Sequence, residues 1–206
     1  NLAANGMVAI SIAYRLVNEN PAAAAQYSDI KNALQAIIRN PQHLRIDTDR
    51  IAVLGASAGG HLAAMLATEP NTPLKAAVLL WSPTNLVDVS NVSDQGKQIL
   101  HQYFQHSPRL DKAAFSPYLR LNPSMCKNWL LIHGDQDELV PPSQSTAMQS
   151  KLKTFGVQSK LIMLPGMRHA PTSTPSTIQA MNELLVFLKK SLPTQADLLT
   201  KKGGES

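Results

Sequence analysis

Five short runs in this chain are apolar almost from end to end: Met7–Ala13, Arg50–Leu54, Ala76–Trp81, Trp129–His133 and Lys160–Leu164. A strand with one wet face alternates apolar and polar residues, whereas a strand covered on both faces does not. The segments between the runs carry helical spacing. Pro21 opens one with Tyr27, Ile30, Leu34, Ile37 and Ile38, which Asn40-Pro41 closes because the residue before proline avoids the helical region. His61 to Thr68 forms another. Pro141-Pro142 begins a third, with Ala147, Met148, Lys151, Leu152 and Phe155 on one face and Gly156 as its stop, and Ile178, Met181, Leu185 and Leu188 line the last. Leu2 to Asn5 reads as the end of a helix stopped by Gly6. The pattern predicts an α/β fold, a mostly parallel sheet with helices on both faces.

At 206 residues one domain suffices. It is expected over 1–192, with 84–125 as an insertion of lid or wall character and 193–206 as a polar tail. The net charge of +5 is spread over scattered lysines with no basic run interleaved with aromatics, which argues against a nucleic-acid partner. Cys126 stands alone, so neither an internal disulfide framework nor a cysteine zinc cluster is available. No window reaches the roughly 18 apolar residues of a membrane span. The compartment stays open between cytoplasmic and secreted.

Gly55-Ala56-Ser57-Ala58-Gly59 fits G-x-S-x-G directly after a strand and directly before a helix. Such a turn is sharp enough to push the serine hydroxyl out above the sheet edge, and the flanking glycines are expected because a Cβ there collides. The following helix N-terminus favours developing negative charge. A serine needs a base, and the base needs an acid. Both lie after later strands: Asp135, Asp137 and Glu138 follow the strand ending at His133, and His169 follows the strand ending at Leu164. The other histidines show no metal spacing. His61 and His133 read as packing or hydrogen-bonding residues, and Trp81 and Trp129 read as core.

The stretches AYRL at 13–16, IDTDRIAVLGASAGGHLAAMLA at 46–67, LLIHGDQDELVPPSQS at 130–145 and LIMLPGMRHA at 161–170 resemble the α/β-hydrolase esterase/lipase group. Within it the chain is similar to the acetyl-esterase and polysaccharide-ester (acetylxylan or feruloyl) branch. The resemblance implies Ser57 as nucleophile, His169 as general base and then acid, and Asp137 as the carboxylate, with Asp135 bracing the loop. It implies the Ala58 amide as an oxyanion donor, a small-molecule or carbohydrate ester as substrate, and no metal or organic cofactor. It also implies that Arg15 and Asp29 form a buried pair. A formamidase, a prolyl-oligopeptidase-type peptidase and an inactive hydrolase-fold binding protein are the alternatives. An aromatic residue after the serine is usual in the peptidases, where this chain has Ala58.

The chain departs from that family in one respect. No H-G-G segment occurs in it, nor counterparts of the family's first three strands, so the family fold is expected in N-terminally truncated form. With an incomplete oxyanion hole, the 206-residue polypeptide alone is expected to hydrolyse esters poorly.

Overall fold

In the computed structural model, which describes residues 2–16, 23–105, 111–169 and 172–194, four strands form one sheet: β1 (Ile51–Ala56), β2 (Leu74–Leu80), β3 (Asn128–Gly134) and β4 (Gln158–Leu164). They lie side by side in chain order and every pair is parallel. The register Val53↔Ala77, Val78↔Leu130 and Ile132↔Ile162 brings the C-terminal ends of the strands to one edge. Parallel neighbours demand crossovers, and helices supply them.

The absence of polar alternation has the expected cause. Ala77, Leu79, Trp129 and Leu131 face one layer, with α1 (Ala23–Arg39), α3 (Ala58–Ala67) and α5 (Ser143–Thr154) packed on it. Val78, Leu80, Leu130 and Ile132 face the opposite layer, which α6 (Pro175–Ser191) covers through Ala180, Leu184 and Leu188. Trp129, Leu130, Leu131 and Ile132 are all fully buried, so β3 is the centre of the molecule.

Several expectations are corrected by the packing. Met7–Ala13 joins no ladder among the described residues, because no described strand lies against it; Val8 and Ile10 are exposed. Between this segment and the outer edge of β1 lies a cavity of about 1120 Å³, lined by Ile12, Leu34, Ile37, Val53, Leu62 and Leu66 among others. The buried stripe of α6 is Thr177, Ala180, Leu184 and Leu188; Leu188 is buried as expected, but the others stand one residue before the expected positions, and Ile178 and Met181 are exposed. On α5 it is Met148 and Leu152 that are sealed, while Ala147 is exposed. Helix α3 begins at Ala58, three residues earlier than the spacing indicates. Asn40-Pro41 does end α1, and Pro41 then opens a one-turn helix, α2 (Pro41–Leu44). Pro21 and the tail from 195 lie outside the described residues.

The long connection after β2 has its own small core. Its α4 (Asp94–Phe104), capped by Ser93, places Tyr103 and Phe104 against Leu86, Phe115 and Met65 of α3. Its two ends are fastened separately. Gln144 of α5 takes the Thr84 and Asn85 amides at 2.9 and 2.7 Å, and Arg120 binds Glu69 at 2.8 Å beside Tyr27 and Lys31. Arg15 and Asp29 do pair, through Nη2 at 2.6 Å and Nε at 2.8 Å, but the Arg15 side chain is 47% exposed, so the pair is a surface clamp and not a buried one. It ties the segment that follows Gly6 to α1.

Candidate active site

Ser57 occupies the turn between β1 and α3 with φ 50° and ψ −122°, a conformation an L-residue adopts only when its surroundings impose it. Its neighbours supply the constraint. A Cβ on Gly55 would lie 2.2 Å from the Gly59 carbonyl oxygen, and one on Gly60 would lie 1.7 Å from Ser82 Oγ. At Gly59, by contrast, a Cβ would meet only the Tyr14 hydroxyl at 3.8 Å. Contact therefore demands the first glycine of G-x-S-x-G and the one after the motif, and not the second within it. The end of β2 clamps the same turn. Leu80 C=O accepts the Ser57 N–H at 2.9 Å and the Ser82 hydroxyl at 2.9 Å, and Trp81 turns away with φ 40° while donating its N–H to Ile132 C=O at 2.7 Å. Trp81, half-buried, has left the strand in which the sequence pattern placed it.

Two later loops reach Ser57. The Ser57 hydroxyl is 2.8 Å from His169 Nε2, and His169 Nδ1 is 2.8 Å from Asp137 Oδ2. With Nδ1–H donating to the carboxylate, Nε2 is left to accept the serine proton. Oδ1 of Asp137 accepts the Leu139 and Val140 amides at 3.0 and 2.9 Å. Burial alone would push the Asp137 carboxyl up; the donors His133, His169 and the Val140 amide, together with the charge on His169, overcome it and hold the group far below the usual carboxylate range. The Asp137 side chain is sealed, at 0% exposure, while His169 keeps 22%, so the imidazole is reachable and the carboxylate is not.

The rival carboxylates go elsewhere. Asp135 accepts the Gly166 amide at 2.7 Å, bracing the loop that carries His169, and Glu138 is at the surface, 3.7 Å from Arg168. Gly134 allows the two loops to touch: a Cβ there would sit 2.2 Å from the Met167 carbonyl oxygen. Ala58, exposed and first in α3, offers one of the amides a helix leaves without an internal acceptor. His61, one turn further on, is 5% exposed and edge-on to Tyr103, with ring centroids 5.9 Å apart. Neither of its ring nitrogens makes a hydrogen bond of ordinary geometry; burial lowers its pKa to about 4 against a small opposing effect of the Pro83 carbonyl. The large cavity beside β1 does not reach Ser57, Asp137 or His169.

Three features near this site escape sequence reasoning. Trp81 with its positive φ has no local signal, since bulky residues avoid that region. Ser82 lies beyond the last apolar residue of its strand. His133 is read as structural, yet its Nε2 is 3.2 Å from the Oδ2 of Asp137 that receives His169.

A parallel sheet with helices on both faces, a strained serine on a strand-to-helix turn, and an acid and a histidine on later loops at the same edge define an α/β-hydrolase. The chain belongs to the BD-FAE family, which it matches over residues 1–152. It is similar to the "Uncharacterized peptidase YuxL" of Bacillus subtilis (strain 168), 27% identical over 164 residues, covering 77% of this chain and 24% of that protein. It is similar also to the "Ethyl acetate hydrolase" of Pseudomonas putida, 28% identical over 208 residues, covering 91% of this chain and 63% of that protein. The chain thus spans less than two thirds of the length of these relatives. Among solved structures it superposes on the "Truncated form of carbohydrate esterase from gut microbiota" with a TM-score of 0.75 at 22% identity, covering 89% of this chain and 74% of that one.

Proposed function

We propose that the chain acts as a serine carboxylic-ester hydrolase through an acyl-enzyme, with Ser57 as nucleophile, His169 as base and then acid, and Asp137 as the orienting carboxylate. The observation that carries this reading is the linear relay of 2.8 Å contacts from Ser57 Oγ through both nitrogens of His169 to Asp137. Ser57 attacks the ester carbonyl as His169 Nε2 takes its proton. Asp137 holds the imidazole and balances the charge it gains. The tetrahedral oxygen develops its charge beside the Ala58 amide at the start of α3. The alcohol leaves with the proton from His169, and water repeats the two steps to release the acid.

Short acyl groups, on a small-molecule or carbohydrate alcohol, are the substrates this reading favours; the similarity to an ethyl acetate hydrolase and to a carbohydrate esterase supports them. The insertion 84–125 forms one wall of the substrate site, which the Tyr103–His61 contact supports by setting α4 one turn from Ser57. A peptidase is the second reading, because one relative carries that name.

The test is labelling with a fluorophosphonate, followed by turnover of p-nitrophenyl acetate and an N-acetylaminoacyl p-nitroanilide. The expected result is an adduct on Ser57, absent in S57A, with acetate ester preferred to anilide. Preference for the anilide moves the assignment to the peptidase. No adduct on Ser57 at all ends the hydrolase reading in favour of an inactive binding protein.

A further inference from the structure

His133 closes β3 with its side chain completely buried, and both ring nitrogens are engaged. Nδ1 is 2.7 Å from the hydroxyl of Ser145, itself buried in the first turn of α5. Nε2 is 2.9 Å from the Val140 carbonyl and 3.2 Å from Asp137 Oδ2. Those two neighbours are acceptors only, so Nε2 carries a proton whether the ring is neutral or charged. A neutral ring then accepts the Ser145 proton at Nδ1, and a charged one donates there; in both cases Nε2–H points at the acid turn.

That turn has one degree of freedom left to fix. Two backbone amides hold Asp137 Oδ1, which leaves Oδ2 to face His169 Nδ1 at 2.8 Å and, at 3.2 Å, the His133 Nε2–H that also donates to the Val140 carbonyl. We propose that His133 is a positioning residue for the hydrolysis inferred above: oriented by Ser145, its Nε2–H fixes the plane and the charge of the Asp137 carboxylate and so sets how His169 is held against Ser57. The inference rests on the serine-hydrolase reading for its kinetic consequences but not for its geometry. His133 acts at a distance, through a carboxylate oxygen shared with His169. The other ionisable groups on these loops are at the surface: Asp135 on the Gly166 amide, and Glu138 beside Arg168.

The variants are H133M, which keeps bulk and removes the donor, H133Q, whose amide can replace Nε2–H, and S145A, which frees the ring. Each is compared with wild type in fluorophosphonate rate per folded molecule, in the pH profile of kcat/KM for p-nitrophenyl acetate, and in the proton resonance of His169 Nδ1–H. Losing the Nε2–H shared between the Val140 carbonyl and the Asp137 carboxylate predicts a fall of about 10-fold in kcat for H133M, with KM changed little. With one donor gone, Oδ2 binds His169 more strongly and the acid limb of the profile moves to higher pH. H133Q recovers most of the loss, S145A loses a few-fold, and H133M adds nothing in a D137N background.

A merely structural histidine gives a different outcome: fewer active molecules, but an unmoved acid limb, an unmoved His169 resonance, and an equal loss with or without Asp137. That outcome overturns the proposal. If H133M does not fold, S145A decides: a shifted His169 resonance with a few-fold loss supports the proposal, and an unshifted resonance overturns it. If wild type itself fails to react with fluorophosphonate, the ester reading fails alone. The resonance shift on removing Nε2–H still decides whether His133 holds Asp137.

Discussion

Gly134 is where the acid loop and the histidine loop come closest, and replacing it with alanine puts a number on how finely they must fit. The added Cβ would stand 2.2 Å from the Met167 carbonyl oxygen, a backbone atom that already accepts the Gln136 amide at 3.0 Å. Reaching even the 3.0 Å floor of real Cβ contacts forces the two chains apart by about 0.8 Å. His169 lies two residues beyond Met167, so a displacement of that size passes into the 2.8 Å contacts on both sides of its ring. A misplacement of roughly 1 Å costs on the order of 100-fold in rate, and forced overpacking costs about 1–3 kcal/mol of stability. The expected G134A protein is folded with a lowered urea midpoint, and its kcat for p-nitrophenyl acetate drops about 100-fold while KM moves little. G59A is the matched control. Its Cβ meets only the Tyr14 hydroxyl at 3.8 Å, so stability holds or rises by about 0.5–1 kcal/mol and the rate falls far less than in G134A. Wild-type kcat and midpoint in G134A, or equal losses in the two variants, refute the coupling between loop spacing and the relay.

Acid should weaken the fold in two separable steps. His61 has its pKa lowered to about 4 by burial, so its neutral form is the folded one; stability is full above the unfolded value of about 6.5 and falls by about 3 kcal/mol as pH drops from there toward 4. Urea midpoints at pH 7 and 4.5 measure this slope, and H61F should flatten it. Asp137 has its carboxyl depressed, so its contribution is present above the unfolded value of about 3.9 and is lost only as pH falls further. Thermal midpoints between pH 5 and 2.5 should therefore fall less steeply in D137N than in wild type. Cys126 is buried with its thiol pushed up to about 11, so it should resist a disulfide-exchange reagent at pH 8 until urea unfolds the chain. Reaction of the folded protein at the rate of free cysteine would contradict that burial.

The layers of this fold are legible in the sequence because burial on both faces removes polar alternation from β2 and β3, and local helical spacing survives beside them. What sequence reasoning gets wrong depends on long-range partners. Met7–Ala13 has the composition of a strand, but a strand exists only through its neighbours, and among the described residues none pairs with it. On α6 the choice between Ile178 and Thr177 as the inward residue is a rotation of one position, and Thr177 wins because it also closes the capping box with Thr174. The residues of the candidate site stand out through loop order and motif, whereas the Gly60–Ser82 contact and the approach of His133 to Asp137 join residues that no short pattern links. The second glycine of G-x-S-x-G shows the reverse. It matches a pattern, but no neighbour in the fold crowds it.

The strand order has a consequence for the order in which the protein is made. Because β1, β2, β3 and β4 lie in sequence, each of these four strands can dock on the one before it as the chain emerges. Ser57 is therefore seated on its turn once β2 has joined β1 and Leu80 has taken its amide. His169, whose Nε2 its hydroxyl contacts, comes 112 residues later, roughly 6–20 s at ordinary rates of synthesis. Asp137 arrives between them and is locked by its own loop and by His133 before His169 exists. A nascent chain that ends before this loop thus carries a fully shaped serine turn without the His169 contact, which forms only after β4 has been made.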